Sequence, residues 1–230
     1  SASFAHLHIQ SFDWQLILTA VAVLTMLIGN FSALWQQNAR RMMAYSSIAH
    51  GGFLLIGIIA FTQFSLNSFL FYAAVYMIMN FGAFFLLNIL GNKTGSLIIN
   101  DYKGLGKEYP YIGIMIIIVM IGLTGLPPTA GFSAKLLIFS SLWDVYQQTG
   151  ENHLLYLLIF GLLNTIVSLF FYLKIPYFMF FKENKNIVAS KYIYNISDKI
   201  VASILIFLTL ILFFKSDWLL DIINSINFVL

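Results

Sequence analysis

Between Arg41 and Lys93 the chain carries no charged residue, and most of that interval is hydrocarbon. A soluble domain needs charges along such a length to keep its surface in water, whereas two membrane-spanning helices of ~20 residues each fit it well. The whole chain follows suit: hydrophobic types make up 60% and charged types 9% of 230 residues, against roughly 25% charged in ordinary soluble domains. The apolar runs are continuous rather than alternating, which predicts helices and not a β-barrel. The fold class read from this is an all-α, polytopic membrane helical bundle.

Several function classes drop out. The net charge of +3 comes from lysines and arginines scattered through short loops, so no nucleic-acid partner is expected. Without cysteine there is no disulfide and no thiolate-bound metal or iron–sulfur cluster. Of the four histidines, His6, His8 and His153 lie near segment ends, and no metal site is expected. The sequence holds no phosphate loop, dinucleotide fingerprint or Ser/His/Asp arrangement, so neither covalent chemistry nor a cofactor is expected in this chain. The opening SASFAHLHIQ lacks a methionine and a basic n-region, and reads as the start of a processed chain or of a fragment.

Charges punctuate the chain and mark its spans: Trp14–Trp35, Met42–Thr62, Phe69–Leu90, Tyr109–Tyr146, Leu154–Phe181 and Ile200–Phe214 with its flanks, the final helix taken as 199–220. The second and third are joined by QFSLNS, read as a neutral loop. Tyr109–Tyr146 is too long for one ordinary span, and is either two spans or one crossing broken at Leu126-Pro127-Pro128. The positive-inside rule decides. A single broken crossing puts Arg40 and Arg41, then Lys93, Lys103 and Lys107, then Lys182, Lys185, Lys191 and Lys199 on one side. The other side keeps Asp13, Glu151, Asp217 and Asp221, with Lys215 its one base. The expectation is about six transmembrane spans in a single membrane domain over 1–230, one of them discontinuous, with both chain ends outside the cytoplasm.

The break lies in GLPPTAGFSAKLLIF, residues 125–139. Pro127 and Pro128 lack amide hydrogens and clash with carbonyls one turn earlier. In hydrocarbon each freed backbone group costs several kcal/mol unless protein or water satisfies it, so such a break belongs in protein or beside a hydrated cavity. Thr129 is expected to cap the second half-helix with its hydroxyl, whose positive dipole end then lies at membrane depth. Lys135 follows two turns later, next to Ser133. A lysine at the bilayer centre costs ~2.5–3.5 kcal/mol on insertion scales. Two readings stand for it: a group that gains and loses a proton beside water, or a lysine snorkelling to the interface.

Polar stripes mark other spans. Ser46, Ser47 and His50 share a face, as do Tyr72, Tyr76 and Asn80, and again Asn164, Ser168 and Tyr172. Each stripe alone is as well read as glue between helices; together with a histidine and a lysine they point to a polar path. Lys174, toward the end of its span, reads as a snorkelling group. Gly51, Gly52 and Gly57 are expected to permit close helix contact.

These motifs resemble the antiporter-like membrane subunits of respiratory complex I, most closely the N-type subunit, the counterpart of mitochondrial subunit 2. The resemblance rests on GNFSALWQQNARRMMAYSSIAHGGFLLIG (29–57), FYAAVYMIMNFGAF (71–84), DYKGLG (101–106), GLTGLPPTAGFSAKLLIF (122–139) and LNTIVSLFFYLKI (163–175), in family order. It implies a bundle of two inverted five-helix repeats, with 14–181 as the second repeat, then the final helix, and the first repeat absent from this sequence. It also implies that Lys135 is the protonatable group of a half-channel and that His50 lies near it on a polar axis. Ser46, Ser47, Tyr72, Tyr76, Asn80, Thr129, Ser133, Asn164, Ser168, Tyr172 and Lys174 are the candidate channel lining, and Pro127 and Pro128 the helix break.

The function so implied is proton translocation in the bacterial inner membrane as part of NADH:quinone oxidoreductase. NADH, FMN, iron–sulfur clusters and quinone belong to partner subunits, and other membrane subunits, lipids and protons are the partners. An alternative is a subunit of a multisubunit sodium/proton antiporter or membrane-bound hydrogenase. Many of those carry glutamate where this chain has Lys135, and an aspartate where it has QQNARR. A third reading makes the stripes packing contacts only, and predicts that Lys135 is replaceable.

Overall fold

The computed structural model describes residues 13–183 and 195–226; His6, His8, Lys185 and Lys191 lie outside them. Helix α1 (Trp14–Trp35) starts where the Asp13 carboxylate accepts from the Leu16 amide, 3.0 Å. Helix α2 (Ala39–Ala60) starts on Asn38, whose side chain accepts from Arg41 N at 3.1 Å. These caps satisfy amides that the first helical turn leaves without partners. The α1–α2 turn is pinned by an antiparallel bridge from Asn38 to Ile98.

Helix α3 runs from Gln63 to Thr94, so QFSLNS is not a loop but its first turns. Thr62 and Ser65 form a reciprocal capping box, which offsets the poor helix propensity of a Ser/Asn-rich opening. Only Phe61 and Thr62 connect α2 to α3. A 3-10 turn (Ile99–Tyr102) and a short α4 (Leu105–Glu108) then lead to α5 (Pro110–Thr124), which begins on a proline, and α6 (Ala130–Thr149). Helix α7 spans Asn152–Phe181 and contains Pro176. The final span expected over 199–220 divides instead into α8 (Ile196–Phe214) and α9 (Asp217–Asn224); Lys215 and Ser216 fall between them.

Five described helices, α1, α2, α3, α7 and α8, are long and apolar enough to cross a membrane, and α5 is a shorter apolar helix. Their outward faces carry Ile28, Phe31, Phe81, Ile166, Phe170 and Phe207, all exposed, as expected where lipid replaces water. The protein is a multi-pass membrane protein. Lys107 of α4 lies 3.5 Å from Glu183 beyond α7, and the Tyr111 hydroxyl of α5 donates to Lys199 O of α8. One end of the bundle therefore gathers the basic connections, and α7 returns to it from the opposite end. Helices α5 and α6 together make one crossing, in agreement with the charge pattern.

Helix α6 packs against α2, α3, α7 and α8, which places it inside the bundle. Close approach elsewhere depends on glycine at defined points. At Gly29, an added Cβ would stand 2.5 Å from Ala49 N, so α1 and α2 touch backbone to backbone there. Gly52 and Gly57 also face tight contacts, but a Cβ at Gly51 would meet nothing within 4 Å among the described residues.

Candidate functional site: a buried lysine at a helix break

Helix α5 ends at Gly125, whose φ of +87 lets its amide reach back to the Gly122 and Ile121 carbonyls. Pro127 and Pro128 follow, joined by a cis peptide. Helix α6 begins after Thr129, which has the extended backbone of a cap. Its hydroxyl makes no cap bond; it donates instead to the Leu126 carbonyl at 2.6 Å, satisfying a group that the break leaves open. Gly131 abuts the Gly122 carbonyl so tightly that no side chain fits between the two half-helices.

Lys135 is 5% exposed, and its Nζ donates to the Thr124 carbonyl at 2.7 Å. The same nitrogen lies 4.7 Å from the centre of the Phe53 ring. Among the described residues no carboxylate pairs with it. Its end does not reach the bundle surface, so the snorkelling geometry is absent. The small space of about 170 Å³ beside it is bounded by His50, Tyr72, Tyr76, Gly122 and Gly131, and admits no water-sized sphere. Of the two settings expected for the break, protein and a hydrated cavity, the structure shows the first.

His50, 3% exposed, has both ring nitrogens engaged: Nδ1 with the Tyr72 hydroxyl at 2.8 Å and Nε2 with the Tyr172 hydroxyl at 2.9 Å. Tyr172 in turn shares a hydrogen bond with Ser46 Oγ. Three helices, α2, α3 and α7, thus meet through one continuous polar chain, Ser46–Tyr172–His50–Tyr72. The Tyr76 ring stacks on His50 at 4.4 Å. A neutral imidazole offers one donor and one acceptor, and each hydroxyl can serve either role. The chain can accordingly reverse its hydrogen-bond direction without moving a heavy atom far.

The other expected lining residues stand outside this hydrogen-bonded chain, although Ser47 lies beside Tyr76. Ser47 bonds back to the Met43 carbonyl and Ser168 to the Thr165 carbonyl, each within its own helix. Asn80 lines a groove with Leu54, Tyr76, Met77 and Phe81 and does not bound the space beside Lys135, although Tyr76 borders both. Ser133 is half-buried and takes no part in bounding the space beside Lys135. Asn164 pairs with Asn30, whose Nδ2 donates to both its backbone and side-chain oxygens at 3.0 Å, tying α1 to α7. Lys174 donates to the Gln36 carbonyl at 2.7 Å, closing the C-terminal end of α1.

Sequence reasoning missed Phe53, Asn30 and the Thr124 carbonyl. Asn30 carried a signal, an amide deep in an apolar span. Phe53 carried none, since one phenylalanine among many looks like packing.

A family profile described as the transmembrane part of NADH:quinone oxidoreductase and the Mrp antiporter matches residues 2–161. NADH-quinone oxidoreductase subunit N 2 of Chloroherpeton thalassium is 41% identical over 201 residues, 87% of this chain and 38% of its own. NAD(P)H-quinone oxidoreductase subunit 2 of a Synechococcus is 36% identical over 186 residues, 81% of this chain and 34% of its own. The chain thus spans well under half the length of these relatives. Among solved structures, the Mrp complex of a Dietzia species superposes with a TM-score of 0.81 at 19% identity, over 93% of this chain and 46% of that one. Respiratory complex I from Thermus thermophilus with bound NADH gives 0.78 at 21% identity, over 92% and 44%. At those identities the likeness speaks for the fold alone.

Proposed function

The chain belongs to the NADH:quinone oxidoreductase/Mrp antiporter membrane family, and from that premise we propose that it acts in a proton-translocating membrane subunit of an NADH:quinone oxidoreductase. Lys135 is the group that loads and releases the proton, and His50 with its two tyrosines is the adjoining relay. Quinone reduction in partner subunits, which hold the NADH, FMN and iron–sulfur sites, drives the change of charge. Both ends of the chain lie outside the cytoplasm of a bacterial inner membrane, with the basic connections inside.

The observation that carries this reading is the position of Lys135: buried, without a carboxylate partner among the described residues, and lining one small space together with His50. An isolated ion in such surroundings is costly, so the amine's charge state follows what its neighbours do. Its contact with the Thr124 carbonyl gives the charged form a partner at the negative end of α5. With the space closed to water, transfer requires the break to open or the hydroxyl chain to carry the proton. Residues 41% and 36% identical to named quinone oxidoreductase subunits support this over the cation/proton antiporter alternative; the fold likeness fits both.

The test is Lys135→Met in the native membrane complex, with NADH-driven proton pumping and quinone reduction followed together and assembly checked. Loss of pumping with assembly intact is the expected result. Wild-type pumping in the variant would leave Lys135 a packing residue and end the proposal.

A further inference from the structure

Away from the break, a second feature of the bundle has no partner among the described residues. At the α1–α2 turn a groove of about 370 Å³ is lined by Gln36, Arg41, Ala44, Tyr45 and Ile48. Arg41, Ala44, Tyr45 and Ile48 follow at helical spacing, so the groove runs down one face of α2 from a cation to a hydrocarbon wall. Arg41 and Arg40 differ sharply. The Arg40 guanidinium donates to Asn88 Oδ1 at 2.7 Å, whereas the exposed Arg41 guanidinium makes no hydrogen bond or ion pair among the described residues. A free guanidinium with five donors is built to take an oxyanion.

Depth identifies the anion's source. Arg41 stands in the first turns of a membrane-spanning helix, at the bundle end that also carries Lys93, Lys103, Lys107, Lys182 and Lys199. Trp35, 81% exposed, ends α1 beside it, as an interfacial aromatic does. Below the cation, Ile48 is 43% exposed and offers a wall for an acyl chain. Behind the groove, Lys174 Nζ sits on the Gln36 carbonyl and adds positive charge. A soluble phosphate would use the guanidinium and leave the apolar wall uncovered. We propose that this groove binds the headgroup of an anionic phospholipid, with the phosphate on Arg41 and the Tyr45 hydroxyl and an acyl chain along Ala44 and Ile48.

The experiment uses the assembled complex with spin-labelled phosphatidylglycerol and phosphatidylcholine, reading the relative association of each. Arg41→Gln is expected to lower phosphatidylglycerol association about fivefold, the worth of one basic residue near an anionic surface, with phosphatidylcholine unchanged. Arg41→Lys should restore most of the selectivity. Arg40→Gln, whose guanidinium is already tied to Asn88, should have little effect. Equal loss in both arginine variants would mean diffuse surface charge and would overturn the site. Full displacement by inorganic phosphate would make it a free-anion site instead. Unchanged lipid selectivity with loosened assembly in Arg41→Gln would assign the groove to a neighbouring subunit. Arg41 is exposed, so intact assembly of Arg41→Lys separates these outcomes from misfolding.

Discussion

The Lys135 Nζ stands 2.7 Å from the Thr124 carbonyl oxygen, so the basic group of one half-helix closes the open end of the other. A cation there is favoured by the negative end of the α5 dipole. The amine's charge state and the geometry of the break act on each other, which is what the proposed proton step requires.

The relay proposed around His50 depends on a hydroxyl of α7. Tyr172→Phe removes the partner of His50 Nε2 and of Ser46 at once, with no change of volume in the apolar part of the ring. Proton pumping should fall by about tenfold or more while the complex assembles normally. Proton uptake into inverted vesicles at matched complex content checks it, and unchanged uptake would remove Tyr172 from the path.

Lys174 has a structural task. Its bond to the Gln36 carbonyl serves the C-terminal end of α1, so Lys174→Met should lower stability by about 1 kcal/mol, the low end for a charged hydrogen bond because the group is partly exposed. Thermal unfolding in detergent reads this directly. Pumping per assembled complex should be unaffected, in contrast to Lys135→Met.

Two glycines should respond oppositely to alanine. Gly131→Ala drives a methyl into the Gly122 carbonyl and should cost ~1–3 kcal/mol or abolish assembly. Gly51→Ala meets nothing within 4 Å among the described residues and exchanges a poor helix former for the best one, a gain of up to ~1 kcal/mol. Melting temperatures of the two variants should move apart in those directions.

Tyr102 gives a pH signature outside the membrane. It is fully buried, and burial pushes its hydroxyl up to about 12, with Arg40 pulling down and Asp101 adding to the rise. The folded chain therefore keeps a proton that the unfolded chain loses near ~10. Stability is complete below pH ~10 and declines as pH rises toward about 12. Tyr102→Phe should remove that decline. It should be neutral or slightly stabilising at pH 7, because the buried hydroxyl has no hydrogen bond among the described residues. Unfolding midpoints of both proteins between pH 7 and 12 check both points.

Much of the fold was legible in the chain. Runs of hydrocarbon between charges located α1, α7 and α8 closely, and the paired prolines with Gly125 located the break. The misreadings have local causes. QFSLNS looks like a loop by composition but is held helical by the Thr62–Ser65 box, a hydrogen-bond pattern rather than a propensity. Thr129 was placed correctly at the start of α6, yet its hydroxyl serves the preceding turn. Gly51 and Gly52 are adjacent and opposite in role because they point to different sides of one helix.

The sequence by itself determined that this is a multi-pass helical membrane protein with one crossing broken in two. The reason is local: in hydrocarbon each span must satisfy its own backbone, so the pattern of apolar runs, prolines and charges decides where helices begin and end. Only the tertiary structure decided which polar residues meet. Ser46, Ser47 and His50 share a stripe, but the rotation and separation of α2, α3 and α7 join His50 and Ser46 to Tyr172 and leave Ser47 bonded to the Met43 carbonyl, beside Tyr76 of α3. Partners 122 and 126 residues apart are chosen by packing, and no spacing along the chain encodes that choice.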